Sequence, residues 1–243
     1  MKRAWEIFRQ VQEKRPLVQC ITNFVTVNDC ANMILAAGGS PSMAHDIREA
    51  AEAAAAASAL VCNLGAIGDT DAMEAAGKAA NLLGIPVVFD PVAAGGTSLR
   101  RAESARLMRA VHFSVIRGNA SEIRFLAGEQ SSGSGVDAGV FDEITEENLS
   151  AAIGIVKGLA EKTGSVIAVS GRLDLISDSR RTAVLRNGSP VMARITGSGC
   201  MLTALTGAFC GACQKDCFTA AFAASAVMGV CGELADAKRL ERG

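Results

Sequence analysis

The run Thr196-Gly197-Ser198-Gly199-Cys200 ends an extended stretch and opens one rich in Ala and Leu. At such a helix start several backbone amides point outward without partners and the helix dipole adds positive potential, so an anion is favoured there. Gly197 and Gly199 remove the side chains that would obstruct a close approach. The same residues also fit an ordinary glycine turn with Thr196 or Ser198 as the helix cap. A second constellation is Arg117-Gly118-Asn119-Ala120-Ser121-Glu122 at a strand-to-helix junction. Arg117 offers a planar fork for phosphate oxygens. Asn119 and Glu122, three apart at a helix start, fall near one face and suit the water shell of Mg²⁺, but they also spell a capping box. Asp90 follows an apolar run and precedes Pro91, so it sits extended at a strand's carboxyl end, available to a metal or phosphate site or simply starting a turn. Met43, after Ser40-Pro41-Ser42, offers an adaptable apolar wall for a small ring, or core filling.

The elements that must position these residues are legible as an alternation. Short β-branched runs at Leu17–Thr22, Ala59–Leu64, Pro86–Asp90, Phe113–Arg117 and Ser165–Ser170 read as strands. Between them, helices are expected over Asn28–Ala37, Ile47–Ala57, Thr70–Leu83, Leu99–Ala110, Glu146–Lys162, Ser198–Cys213 and Phe218–Ala235. Asp69-Thr70-Asp71 and Thr145-Glu146-Glu147 place capping and acidic residues at two helix openings. Helices alternating with buried strands describe a mainly parallel α/β sheet covered on both faces. The stretch from Arg172 to Val191 reads instead as an antiparallel meander, Leu173–Ser177 then Arg181–Arg186, with a tight turn at Asn187-Gly188. Glu129–Asp142, rich in Gly and Ser, reads as a surface loop. Open parallel sheets bind ligands beyond the carboxyl ends of their strands. That singles out Asn23, Asn63, Asp90, Arg117, Asn119 and Ser170. Two other glycine motifs fail on inspection. Gly77-Lys78 lacks the flanking Gly and Ser/Thr of a phosphate loop, with Ala72 and Ala79 in their places. Leu202 stands where a dinucleotide fingerprint needs a third small residue.

The chain has 243 residues, enough for one large domain over 1–243, and no stretch reads as a linker. Lys+Arg (24) and Asp+Glu (25) nearly cancel, so there is no electrostatic footprint for nucleic acid or an anionic membrane. The uncharged runs Ala53–Gly68 and Cys217–Gly232 fall short of a span of roughly 20 residues and are rich in Ala and Gly, as buried helices are. Charge throughout the first fifteen residues argues against a signal peptide. Of the eight cysteines, Cys20, Cys30, Cys62, Cys200, Cys210 and Cys231 sit among apolar or glycine residues, as reduced core thiols do. Cys210, Cys213 and Cys217 lack a second ligand pair for zinc. A cytoplasmic protein is expected.

Five blocks in register carry a resemblance over essentially the whole chain: Ile21-Thr22-Asn23 with Val25 and Asn28; Ser40-Pro41 with Met43-Ala44-His45; Asp90-Pro91-Val92; Arg117-Gly118-Asn119 with Ser121-Glu122-Ile123; and Ile195 through Cys200. Each block is weak alone, and together they resemble the hydroxyethylthiazole kinase family. The resemblance implies a ribokinase-like fold, with MgATP as phosphate donor and 4-methyl-5-(2-hydroxyethyl)thiazole as acceptor. It further implies a homotrimer with thiazole pockets at the subunit interfaces. By position, Met43 and Gly197 would contact the thiazole. Arg117, Ser170, Asn23 and Gly199 would serve ATP, and Asp90, Glu122 and Asn119 the magnesium, through water. Cys200 stands where related sugar kinases carry a catalytic Asp, and it would orient the acceptor hydroxyl with weak base character. Ala94 where Gly is expected, Ser170 where Thr is common, and a short C-terminal end depart from the pattern. Two rivals are a kinase of a related ring alcohol such as hydroxymethylpyrimidine, and a catalytically silent binder of thiazole or nucleotide.

Overall fold

Six parallel strands, from the edge strand β2 to β6, and two antiparallel strands at the other edge form an eight-stranded sheet in the order β2-β1-β3-β4-β5-β6-β7-β8. The computed structural model describes residues 2–128 and 143–242; the loop expected over Glu129–Asp142 lies outside them. The strands are β1 Leu17–Ile21, β2 Ser40–Ser42, β3 Ala59–Asn63, β4 Val87–Asp90, β5 Val115–Asn119, β6 Val166–Ser170, β7 Asp174–Ser177 and β8 Thr182–Leu185. The helices are α1 Lys2–Lys14, α2 Val27–Ala37, α3 Ala50–Ala55, α4 Thr70–Leu82, α5 Ser98–Ala110, α6 Ala120–Ala127, α7 Leu149–Thr163, α8 Ser198–Ala212 and α9 Cys217–Arg242.

The sheet is buried on both faces because the central strands are mostly apolar up to their carboxyl ends, and their alternate side chains feed two cores. Leu60 and Cys62, Val87 and Phe89, Ile116, Ile167 and Val169 enter one core with α3, α4, α5 and α7. Val61, Val88, Val115, Val166 and Ala168 enter the other, against α1, α2, α8 and α9. This parity positions the site. Two residues on from Val61, Val88, Val115 and Ala168 stand Asn63, Asp90, Arg117 and Ser170, so all four project toward the face that holds α8.

Several expected boundaries move. β5 runs on to Asn119, because Arg117, Gly118 and Asn119 stay in register with Ala168, Val169 and Ser170 of β6, so Arg117 lies inside the strand rather than at its end. Phe113, expected to open that strand, packs before it on Phe89, with ring centroids 4.5 Å apart. The helix expected from Ile47 begins only at Ala50, since Asp46 binds the Glu49 and Ala50 amides in a turn. The helix expected from Glu146 begins at Leu149, where the Asn148 side chain accepts from the Thr145 amide and donates to the Glu143 carbonyl. Asp69 precedes α4 as expected but makes no side-chain cap bond. Asn187-Gly188 does not close a further hairpin. The Asn187 side chain donates to the Ala226 carbonyl, and the chain continues into a short 3-10 turn, Pro190–Arg194. Neither α1 nor β2 was expected: α1 is amphipathic, burying Ala4, Ile7 and Val11, and β2 is three residues of Ser and Pro. All eight cysteines are free thiols, but Cys231 is exposed and Cys200 half-buried, so neither is the core residue its surroundings in sequence suggest. α9 is long and apolar enough to cross a bilayer by composition; its apolar residues Ala220, Ala221, Ala223, Ala224 and Ala226 are packed in the second core, which accounts for that composition.

Candidate active site

Five adjacent strands, β1, β3, β4, β5 and β6, bring Asn23, Asn63, Asp90, Arg117 and Ser170 into a row at their carboxyl ends, facing the start of α8. Asp90 lies at the centre and is buried. Its Oδ2 accepts from Asn63 Nδ2 at 3.2 Å and Thr203 Oγ1 at 2.6 Å, and lies 3.7 Å from Arg117 Nη1. Burial pushes its carboxyl up to about 6, although the Arg117 charge and the Thr203 hydroxyl both pull it down. Arg117 is buried too; it donates from Nη2 to Ser170 Oγ, and its Nε has no partner among the described residues. A buried, unpaired guanidinium N–H is costly unless a ligand completes it.

α8 opens at Gly197, whose φ of 77° favours glycine, and no side chain caps the helix. A Cβ on Gly197 would lie 2.1 Å from Thr26 Cγ2, so the glycine also lets α8 abut the start of α2. A Cβ on Gly199 would lie 2.7 Å from Arg117 Nη1. Gly199 is therefore what lets the guanidinium lie against the turn. Ser198 N donates to the Ile195 carbonyl and Met201 N to that of Gly197, while the amides of Gly199 and Cys200 between them meet no protein acceptor among the described residues. Beside them, Cys200 Sγ accepts from Asn23 Nδ2 at 3.4 Å. The Asn23 amide cannot flip, because its Oδ1 accepts from Val25 N at 3.1 Å, Thr26 N at 3.2 Å and Thr26 Oγ1 at 3.2 Å.

The capping alternative for Asn119 and Glu122 is realised. Asn119 Oδ1 accepts from Glu122 N at 2.9 Å, and Glu122 Oε2 accepts from Asn119 N at 2.8 Å. Glu122 Oε1 also accepts from Ala93 N at 2.9 Å, tying α6 to the turn after β4. These two residues therefore build the rim of the site; Glu122 keeps a lone pair on each oxygen for a water shell, whereas Asn119 Oδ1 also accepts from Ser121 Oγ at 2.8 Å and is filled. Met43 lies half-buried after β2 and packs against the second core, so core filling, the alternative to a ring wall, is also present. Among the described residues no three His, Cys, Asp or Glu converge as a metal cage. That suits Mg²⁺, which keeps most of its waters and leans on one or two carboxylates plus phosphates. Asp90 fits such a role through Oδ1, which no protein donor engages among the described residues.

Sequence singles out Asn63 only as a polar residue at a strand's carboxyl end, with no role assigned, and it misses Thr203, which is hidden in the Ala/Leu run of α8. The one available signal for Thr203 is its spacing, four residues after Gly199 and so one turn along the same helix face.

Comparison with known proteins agrees with this geometry. The model of the Hydroxyethylthiazole kinase family matches residues 8–243. A hydroxyethylthiazole kinase of Clostridium beijerinckii is 47% identical over 231 residues, covering 94% of this chain and 83% of the relative. One of Methanocella arvoryzae is 47% identical over 238 residues, 97% of this chain and 86% of the relative. The solved hydroxyethylthiazole kinase of Pyrococcus horikoshii superposes with a TM-score of 0.80 at 38% identity, over 92% of this chain and 82% of that one. An ADP complex of Bacillus subtilis pyridoxal kinase, at 16% identity and TM-score 0.58 over 86% of this chain and 88% of that one, shares the fold, which is the ribokinase-like one. With the match running through every strand that carries the polar row and through the α8 turn, the chain belongs to the hydroxyethylthiazole kinase family.

Proposed function

We propose that this chain transfers the terminal phosphoryl group of ATP to the hydroxyl of 4-methyl-5-(2-hydroxyethyl)thiazole, supplying the thiazole phosphate used in making thiamin. The observation that carries the reading is the pair of unpartnered amides at Gly199 and Cys200, facing a buried Arg117 with an unpartnered Nε. Phosphoryl transfer passes through a loose transition state, so alignment and fixed charge do most of the work. The two amides and Arg117 receive the charge on the equatorial oxygens, in positions fixed before the reaction begins. Arg117 and Ser170, with Gly199 and Asn23, hold the ATP phosphates. Cys200 holds the acceptor hydroxyl in line, with Asn23 Nδ2 fixing the thiol's position. Asp90, and through water Glu122, would hold Mg²⁺, which when bound neutralises phosphate charge. Met43 and Gly197 would line the thiazole pocket.

The pocket is open on one side. Phe24 is 90% exposed beside the Thr26–Gly197 contact, and Val25 and Ile195 flank it, also exposed. Large apolar groups standing in water beside a binding site fit a surface that another protein surface covers. The reading is a homotrimer in which a neighbouring subunit closes each thiazole site, in a single-domain cytoplasmic enzyme.

Release of ADP measured with hydroxyethylthiazole and with hydroxymethylpyrimidine tests the reading. Turnover on the thiazole at least about tenfold above the pyrimidine supports it; the reverse preference assigns the chain to the rival kinase. Binding of either ligand without turnover assigns it to a silent binder.

A further inference from the structure

We propose that Thr203 and Asn63 are positioning residues for the transfer step: together they hold Oδ2 of Asp90 so that Oδ1 is presented to the site, and Thr203 at the same time pins the α8 turn to β4. The inference rests on the kinase reading given above.

Among the described residues both hydrogen-bond donors to the Asp90 side chain meet one oxygen, Oδ2. Thr203 reaches it from α8 and Asn63 from β3, while Arg117 Nη1 on β5 stands 3.7 Å from the same atom, beyond bonding distance. Bonds from different directions to a single carboxylate oxygen leave a two-torsion side chain only one orientation. Thr203 is fully buried and has one hydroxyl proton. At 2.6 Å the contact to Asp90 has the length of a charge-assisted bond. The 3.2 Å contact to the Gly199 carbonyl is the longer one and links the same hydroxyl to the glycine turn. Asn63 cannot swap its ends, because Oδ1 accepts from Gly65 N at 2.8 Å, leaving Nδ2 for Asp90. Asn63 and Asp90 are direct partners in the β3–β4 register, which sets them at one level. The same Asn63 Oδ1 meets Asn23 Nδ2 at 3.5 Å, and Asn23 Nδ2 meets Cys200 Sγ at 3.4 Å, so the carboxylate and thiol sides of the site share one amide chain.

The consequence concerns Arg117. A carboxylate and a guanidinium left to themselves close to a bidentate pair with N···O distances below about 3 Å. Here the separation is 3.7 Å. Thr203 and Asn63 hold Oδ2 out of that collapse, which keeps the Arg117 face free for phosphate and Asp90 Oδ1 free for the metal's water shell. Neither residue touches a reacting atom; both act through Asp90.

The test is Thr203→Val, which keeps the buried shape and removes the hydroxyl, beside Thr203→Ser, which restores it. For Thr203→Val, kcat is expected to fall about 10- to 100-fold, the loss that one hydrogen bond to a charged group represents, with KM for the thiazole changed less than about twofold. The Mg²⁺ concentration needed for half-maximal rate should rise, and Thr203→Ser should recover most of the rate. A crystal structure of Thr203→Val should show the Asp90 carboxylate turned toward Arg117. Wild-type kcat in the valine variant, failure of serine to restore it, or an Asp90 that keeps its orientation in the crystal would each overturn the inference. Should the valine variant not fold, Asn63→Ala carries the same kinetic and crystallographic readouts. A wild-type protein that phosphorylates no hydroxyethylthiazole would refute the kinase reading instead, and the orientation of Asp90 in the variant crystal would still decide this one.

Discussion

Cys200 concentrates the chemical question at the scale of single residues. Its thiol meets a donor from Asn23 at 3.4 Å and stands at an uncapped helix start, so its surroundings favour an acceptor at that position. Were the thiol an indispensable base, Cys200→Ala would lose on the order of 10²–10⁴-fold. Because the loose transition state needs little prior deprotonation, the alanine variant is expected to keep measurable turnover. Cys200→Asp should show substantial turnover, since the carboxylate inherits the Asn23 donor and the positive helix end. A folded but inactive Asp variant, judged by turnover beside melting temperature, would place the acceptor hydroxyl away from residue 200. Arg117→Ala should raise the MgATP requirement and lower kcat while leaving calorimetric thiazole binding without nucleotide nearly unchanged. An equal loss of thiazole affinity would put Arg117 in the wrong subsite. Asp90 adds a pH dependence. Burial raises its folded-state pKa to about 6 from 3.8, so between those values the folded protein keeps a proton that the unfolded chain releases. The stability from that proton is full below 3.8 and is lost as pH rises through 6. Melting temperature measured from pH 4 to 7 without nucleotide should therefore decline less steeply in Asp90→Asn than in the wild type; identical pH slopes would remove the assignment.

Two helix starts do the positioning at the scale of elements. α6 begins with a closed capping box whose Glu122 also binds Ala93 N, so one side chain fixes both the helix and the turn following Asp90. α8 begins with no cap at all, which is what leaves its amides for a ligand. The two starts show the same backbone property, unpaired amides, spent on structure in one case and kept for binding in the other. Gly197→Ala should test the second. It forces an L side chain into φ 77° and sets its Cβ 2.1 Å from Thr26, so α8 must shift. Expected are a lower melting temperature, by about 1–3 kcal/mol of stability, and a larger fractional loss of kcat than of stability. Full turnover in a destabilised variant would show that the turn is only architectural.

The whole molecule leaves one side of the site uncovered, where Phe24, Val25 and Ile195 stand exposed. Light scattering at micromolar concentration should give a trimer. Phe24→Asp should shift it toward monomer and raise the thiazole KM about tenfold or more, the usual cost of removing an aromatic anchor from an interface. A wild-type monomer with full activity would refute the assembly.

The sequence by itself determined the architecture and the residues of the polar row. Strand and helix identity came from local periodicity, which a linear chain displays: the central strands, the antiparallel meander and most helices stand where their apolar spacing puts them. Asn23, Asp90, Arg117 and Ser170 were legible because a polar residue ending an apolar strand is an anomaly visible along the chain. What only the tertiary structure decided was which atoms meet. Thr203 lies 113 residues from the carboxylate it binds, inside a helix whose composition announces burial. The identity of Asn119–Glu122 as a cap, the exposure of Cys231 and the retreat of two helix starts likewise depend on side chains folding back on backbone amides. Spacing along the chain specifies which face a residue occupies; it does not specify which of several donors reaches a given oxygen. That is settled when helix α8 packs on the sheet, because hydrogen bonds depend on distance to a few tenths of an ångström while hydrophobic periodicity depends only on side.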